Sequence, residues 1–134
     1  MKNEKAEVNP TNLDRLNIAA QALGKAILNS EAYNNFSIAR DIFRRDELSK
    51  NTLREYNSIV SDYQMRAQLG SITPDDENKI EEANKKVKGN VILSNYYKSQ
   101  EDLINFYREI NIYVSEKLKI NFAGLAKPAG GCCG

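Results

Sequence analysis

The sequence contains no histidine, which removes the usual general base, the usual neutral metal ligand and every Ser/His or Cys/His dyad. Of the seven glycines, the isolated Gly24, Gly70 and Gly89 within the helical part match neither the Walker pattern nor the dinucleotide fingerprint, so nucleotide binding has no support. Cysteine is confined to Cys132 and Cys133, whose adjacency excludes a loop-closing disulfide framework within one chain. No apolar run reaches membrane-spanning length. Met1 to Asn9 is polar and charged, without the apolar region or cleavage site of a secretory leader. A cytoplasmic location with no membrane insertion is therefore expected. Charge of one sign is also lacking: 19 Lys and Arg stand against 18 Asp and Glu, a net charge of +1 over 134 residues. That balance gives no electrostatic footprint for nucleic acid, and no direct nucleic-acid contact is predicted.

Proline occurs only at positions 10, 74 and 128, which leaves two long stretches without a strong breaker. Inside them apolar residues recur at three- and four-residue steps, the period of a helix. Asn9 and Pro10 read as N-cap and first helical position of a helix running to about Asn29, with Leu13, Leu16, Ala20, Leu23 and Ile27 as its stripe. Ser30 and Glu31 restart the chain, and Ala32, Phe36, Ala39 and Phe43 continue the spacing after a kink or a tight turn. Asp46 caps a third segment in which Leu48, Leu53, Tyr56, Val60, Tyr63 and Ala67 face inward, ending at Gly70.

Thr73 and Pro74 open the next helix, with Asp75, Asp76 and Glu77 placed against the positive end of its dipole. Ile80, Ala83 and Val87 point inward there. Gly89 and Asn90 interrupt, and a last helix from Val91 to about Ile120 presents Ile92, Tyr96, Leu103, Phe106, Ile110, Val114 and Leu118. The residues between Gly70 and Pro74 form the main hairpin turn. A weak echo at an offset of 60 aligns Ala32, Phe36, Ala39 and Phe43 with Ile92, Tyr96, Ser99 and Leu103, as any two amphipathic helices can be aligned.

The organisation that results is a disordered N-terminus over 1–9, a helical domain over 10–120 and a flexible Gly/Cys-rich tail over 121–134. The fold class is all-α: long antiparallel helices in a bundle. Narrow stripes on long hairpins bury too little for a lone chain, because ordering each residue costs roughly 1 to 2 kcal/mol. They favour a twofold dimer through heptad-like faces, although a monomeric bundle closed by its own helices stays open. The interface candidates are Leu16, Leu23, Ile27, Tyr56, Tyr63, Phe106, Ile110 and Val114.

Other chemistry has plainer readings. Glu77 and Glu81 share a helix face, yet the lysines at 85, 86 and 88 that follow them mark a solvated surface. Tyr96, Tyr97, Phe106, Tyr107 and Tyr113, with Lys98 and Arg108 among them, resemble a base-stacking platform only without the basic excess such platforms carry; core packing and a dimer seam account for them. No catalytic residue is assigned, and an enzyme is not expected. Cys132 and Cys133 offer half of a Cys₄ environment, so an iron-sulfur cluster or zinc needs ligands from a second chain or a partner. A redox thiol pair and a prenylated terminal Cys-Cys are the alternatives.

Three stretches carry a family resemblance: Ala20-Gln21-Ala22-Leu23-Gly24-Lys25-Ala26-Ile27-Leu28-Asn29-Ser30-Glu31-Ala32-Tyr33, then Ala39-Arg40-Asp41 ahead of Asp46, then Leu103 to Leu118 with Ile110-Asn111-Ile112-Tyr113-Val114-Ser115. Together they resemble the YlbF/YmcA (Com_YlbF) family of bacterial regulators, over about Leu13 to Leu118, and the Gly/Cys tail resembles that of YlbF-type members. The resemblance implies a YheA-like dimerising helical fold and a non-enzymatic regulator. It also implies YmcA-like and YaaT-like partners in a complex that influences competence, sporulation and biofilm formation and works with the endoribonuclease RNase Y in RNA processing. That complex carries iron-sulfur clusters, which makes Cys132 and Cys133 the ligand candidates by resemblance. The tail here is shorter than the YlbF type and has fewer cysteines.

Overall fold

The computed structural model describes residues 11–125. Six helices follow one another: α1 (Asn12–Leu28), α2 (Glu31–Arg45), α3 (Glu47–Gln68), α4 (Pro74–Gly89), α5 (Val91–Leu118) and α6 (Phe122–Leu125). Among the described residues there is no strand. The predicted all-α class and antiparallel arrangement hold: α2 lies against α5 and α3 against α4.

Helix starts are set by side chains that satisfy the free amides of the first turn. The first helix opens two residues later than the expected Pro10, because the Thr11 hydroxyl accepts from the Asp14 amide (3.1 Å) while the Asp14 carboxylate accepts from the Thr11 amide (2.9 Å). This reciprocal box fixes the start at Asn12; Asn9 and Pro10 lie outside the described residues. Ser30 caps α2 through the Tyr33 amide (3.2 Å), so a short turn, Asn29 to Ser30, joins α1 to α2. Asp46 caps α3 and Asn90 caps α5.

The hairpin forms where predicted. Gly70 takes φ 65° just after α3, a left-handed position that glycine adopts without a Cβ clash. Thr73 then builds a second capping box with Asp76, with Pro74 in the first turn. Asp76 is 9% exposed. Hydrogen bonds from Thr73 hold its carboxyl below the usual carboxylate value against the opposing effect of burial, and the Arg66 guanidinium at 3.6 Å adds to them. Replacing Thr73 by alanine should lower unfolding free energy by about 1 kcal/mol at neutral pH. A carboxyl depressed in the folded state stabilises above its unfolded value and loses that contribution as pH falls through the folded one. The gap between the two proteins in urea titrations should therefore narrow on acidification below about pH 4.

The core is thin. Among the described apolar residues only Ala83, Leu93 and Leu103 are buried. Around Leu93 the Tyr96 ring stacks on Phe43 at 4.9 Å and lies 5.8 Å from Phe36, joining α5 to α2. The 60-residue echo thus falls on two helix faces that meet in space.

Three expectations are revised. Leu48 does not face inward: it is 72% exposed and its neighbour Ser49 is buried instead, because Leu48 lies five residues before Leu53 and Ser49 lies four, which puts Ser49 on the inward face. Ala67 is exposed as well. In α5 the fully buried residue is Leu93, one position beyond the expected Ile92. Finally, residues 122–125, inside the segment 121–134 expected to be a flexible tail, form α6; residues 126–134 lie outside the described residues. The chain reverses at Lys119, whose φ is 56°, and α6 folds back because the Phe122 amide donates to Ser115 Oγ (3.0 Å) and the Ala123 amide to Asn111 Oδ1 (3.1 Å).

Candidate functional site

The ionisable groups with displaced pKa values are accounted for by local structure. Asp14 and Asp46 are held low by hydrogen bonds from Thr11 and Ser49, the capping contacts already described. Glu47 is lowered by its hydrogen bond from Lys50, and Glu81 by that from Lys85. Lys79 and Lys85 are raised by their bonds to Asp75 and Glu81. Burial, with Tyr96 and Tyr56 adding, pushes the Tyr97 phenol up. Each is a helix cap, a surface ion pair or a packed ring, and only Asp76 and Lys79 among the shifted groups share a cleft, a small one beside the hairpin turn. Glu77 and Glu81 do not form an acid-base pair: Glu81 turns to Lys85 at 2.9 Å.

The grooves are open, and two of them lie along the α2–α5 seam. One of about 360 Å³ is lined by Asn35, Ile38, Ile42, Ile92, Ser99 and Asp102. Among the described residues no three His, Cys, Asp or Glu side chains converge as metal ligands. Cys132 and Cys133 lie outside the described residues.

What the structure offers is uncovered apolar surface. On α1, Leu13, Leu16 and Ile18 are each more than 60% exposed, and no residue of that helix is buried. This helix packs on α2 near their junction and barely on anything else. The C-terminal half of α5 matches it, with Ile112, Tyr113 and Leu118 all more than half exposed. Isolated exposed leucines are ordinary, but a whole helix without a covered face marks a contact surface.

Total area makes the same point. The chain presents 11212 Å² to solvent, where a compact monomer of 15.1 kDa presents roughly 7,100 Å². Residues outside 11–125 amount to ~1.9 kDa and add at most roughly 2,800 Å², even at the area per dalton of a fully extended chain. The remainder still exceeds a compact domain of its own mass by roughly 2,000 Å², the share one partner contributes to a large obligate interface.

The predicted interface residues divide between these surfaces. Leu16 and Leu23 are exposed on α1, with Ile27 half-buried near its end. Phe106, Ile110 and Val114 are half-buried along α5. Tyr56 and Tyr63 are half-buried on α3, and Tyr63 lines a small cleft with Arg66, Asp76 and Lys79 near the hairpin turn. The structure therefore does not bring all eight together. It adds Ile18 and Ile112, which lie beside the stripes and whose signal is apolar excess outside them, and it leaves exposed Leu13 of the α1 stripe and Tyr113 of the aromatic set.

Comparison with known proteins follows the same architecture. The Bacillus subtilis RicA crystal structure, solved in complex with RicF, superposes with a TM-score of 0.68 at 21% identity, covering 78% of this chain and 94% of that one. The likeness is one of fold. Two UPF0342 proteins of Streptococcus suis, from strains 05ZYH33 and 98HAH33, are each 28% identical over 100 residues, 74% of this chain and 89% of theirs. A family model described as control of competence regulator ComK, YlbF/YmcA, matches residues 18–119. That match spans most of the helical part, and the chain belongs to the Com_YlbF family.

Proposed function

We propose that this chain is a non-enzymatic regulatory adaptor of the cytoplasm that works as a dimer, covering α1 and the C-terminal half of α5 with a second copy. The observation that carries this reading is α1, a capped 17-residue helix with no buried residue. A second copy supplies an equal uncovered surface, and the surplus area is on the scale of a large dimer interface. RicA was solved in complex with RicF, which supports pairing of a chain of this fold with another protein. The family description supports a role in competence control.

By the same family reading the dimer joins YmcA-like and YaaT-like proteins and acts on an RNase Y-like ribonuclease, and so on competence, sporulation or biofilm formation. No nucleic-acid contact of its own is needed for that. The tail chemistry fits the pairing: two adjacent thiols per chain are half of a Cys₄ set, and a dimer brings four. Cys132 and Cys133 of the two chains would then hold an iron-sulfur cluster or zinc.

One experiment tests both parts. Tagged chain recovered anaerobically from its native cells should bring YmcA-like, YaaT-like and ribonuclease subunits, and should carry iron with a visible absorption band. Repeated recovery of the chain alone refutes the adaptor reading. Partners on a colourless, metal-free chain refute the cluster while leaving the adaptor reading standing.

A further inference from the structure

Two interruptions stand opposite each other in the bundle. Asp46 ends α2 and caps α3 with φ −94° and ψ 101°; Asn90 ends α4 and caps α5 with φ −84° and ψ 108°. Each arm of the hairpin is thus broken by a single residue in nearly the same extended conformation. The breaks lie at one level, because Ser49 Oγ donates to Asn90 Oδ1 across the bundle at 3.0 Å. Ser49 and Leu93, flanking that bond, have no exposed surface.

Neither break is imposed by the backbone. Proline would forbid a continuous helix at such a place, whereas Asp and Asn both enter helices at modest cost. Here the bend is held by side chains: Asp46 Oδ2 accepts from the Ser49 amide at 2.8 Å, and Asn90 Oδ1 accepts from the Leu93 amide at 3.0 Å as well as from Ser49 Oγ. In a straightened arm those amides would bond the carbonyls four residues back instead. The exchange replaces side-chain acceptors with backbone ones, so each arm has two hydrogen-bonded states available to it.

Packing divides at the same level. The α2–α5 and α3–α4 pairs carry most of the helix contacts, and across the breaks the contacts are mainly between helices already joined in sequence. Beside the breaks is an open cleft of about 460 Å³ lined by Asp46, Leu48, Thr52, Asn90, Val91 and Ile92. Leu48 and Val91, at its rim, are 72% and 70% exposed. A change of bend angle opens or covers that apolar rim.

We infer that Asp46 and Asn90 form a paired hinge, latched by the buried Ser49–Asn90 hydrogen bond, about which the α3–α4 hairpin turns as one body relative to α2 and α5. The hinge gives the molecule a second shape without unfolding either helix pair, and the apolar rim at Leu48 and Val91 is presented differently in each.

Pulsed electron spin resonance on the full chain tests this. Spin labels are placed at Ser71→Cys on the hairpin tip and Glu109→Cys on α5, with Cys132→Ser and Cys133→Ser, and unlabelled chain is added in excess so that only distances within one chain are read. A second label pair, Ser58→Cys and Asn78→Cys, reports the hairpin alone. Asp46→Ala with Asn90→Ala should move the 71–109 distance to a single longer value and leave the 58–78 distance unchanged. Ser49→Ala, which removes the latch and keeps both caps, should shift the ratio of short to long 71–109 distances about fivefold, the effect of one hydrogen bond. If Ser49→Ala leaves the 71–109 distribution as it was, or moves the 58–78 pair with it, the hinge is overturned. Should the alanine pair fail to fold, the Ser49→Ala distances decide between these outcomes by themselves.

Discussion

Changing Leu16 and Leu23 together to glutamate should shift the proposed dimer toward monomer in a concentration series run alongside the parent chain. Both side chains lie on α1, Leu16 66% and Leu23 44% exposed. What remains exposed can be covered only by a second molecule. Covering a fully exposed leucine contributes roughly 1.5 to 3 kcal/mol. The two together still expose about one leucine's worth of surface, so losing them weakens association by about 1.5 to 3 kcal/mol, or roughly tenfold to more than a hundredfold in Kd. A glutamate forced into the same contact adds the cost of an unpaired charge. The α2–α5 and α3–α4 pairs should survive, because α1 packs mainly on α2 near their junction and buries no residue fully. Sedimentation equilibrium over a concentration series measures the change, and far-UV circular dichroism checks helix content. An unchanged association constant would remove α1 from the interface, and with it the basis for the adaptor reading.

Local chemistry made most of the fold legible. The capping residues Ser30, Asp46 and Thr73 stand in the sequence where helices begin, and Gly70 stands where one must stop. These are short-range hydrogen-bond and steric effects, readable without a third dimension. The same is true of the uncovered stripe on α1, since a sequence can show that a face is apolar. It cannot show what lies against that face, so Leu16 and Phe106 can be named as contact residues without knowing that they sit on different surfaces. A polar residue on an inward face is likewise missed. Steps of three and four back from Tyr56 and Leu53 lead to Ser49 and not to Leu48, yet only the fold shows that this polar side chain turns inward to reach Asn90, 41 residues away. The fold-back at α6 also depends on partners far along the chain, Ser115 and Asn111, that composition alone does not connect with Phe122 and Ala123.

Burial beside the Ser49–Asn90 hydrogen bond leads to the second large effect. Leu93 is the largest fully buried apolar side chain in the described part of the molecule, and it sits in the first turn of α5 directly beyond the Asn90 cap. Truncating a buried leucine to alanine costs about 2 to 5 kcal/mol, from lost transfer energy and the cavity left behind. Domains of this size are stable by only about 5 to 15 kcal/mol, and so thin a core has few neighbours able to collapse into the gap. Leu93→Ala should therefore remove a large share of the total and lower Tm by roughly 10 °C or more. Leu48→Ala, the same change at an exposed position across the hinge, should cost less than about 0.5 kcal/mol. Because a dimer's stability depends on concentration, both substitutions belong in the Leu16→Glu, Leu23→Glu background, with urea unfolding followed by circular dichroism. Equal losses at the two positions would mean that the helical phase after Asp46 and Asn90 is not the one described, since only that phase separates a leucine in the core from a leucine in water.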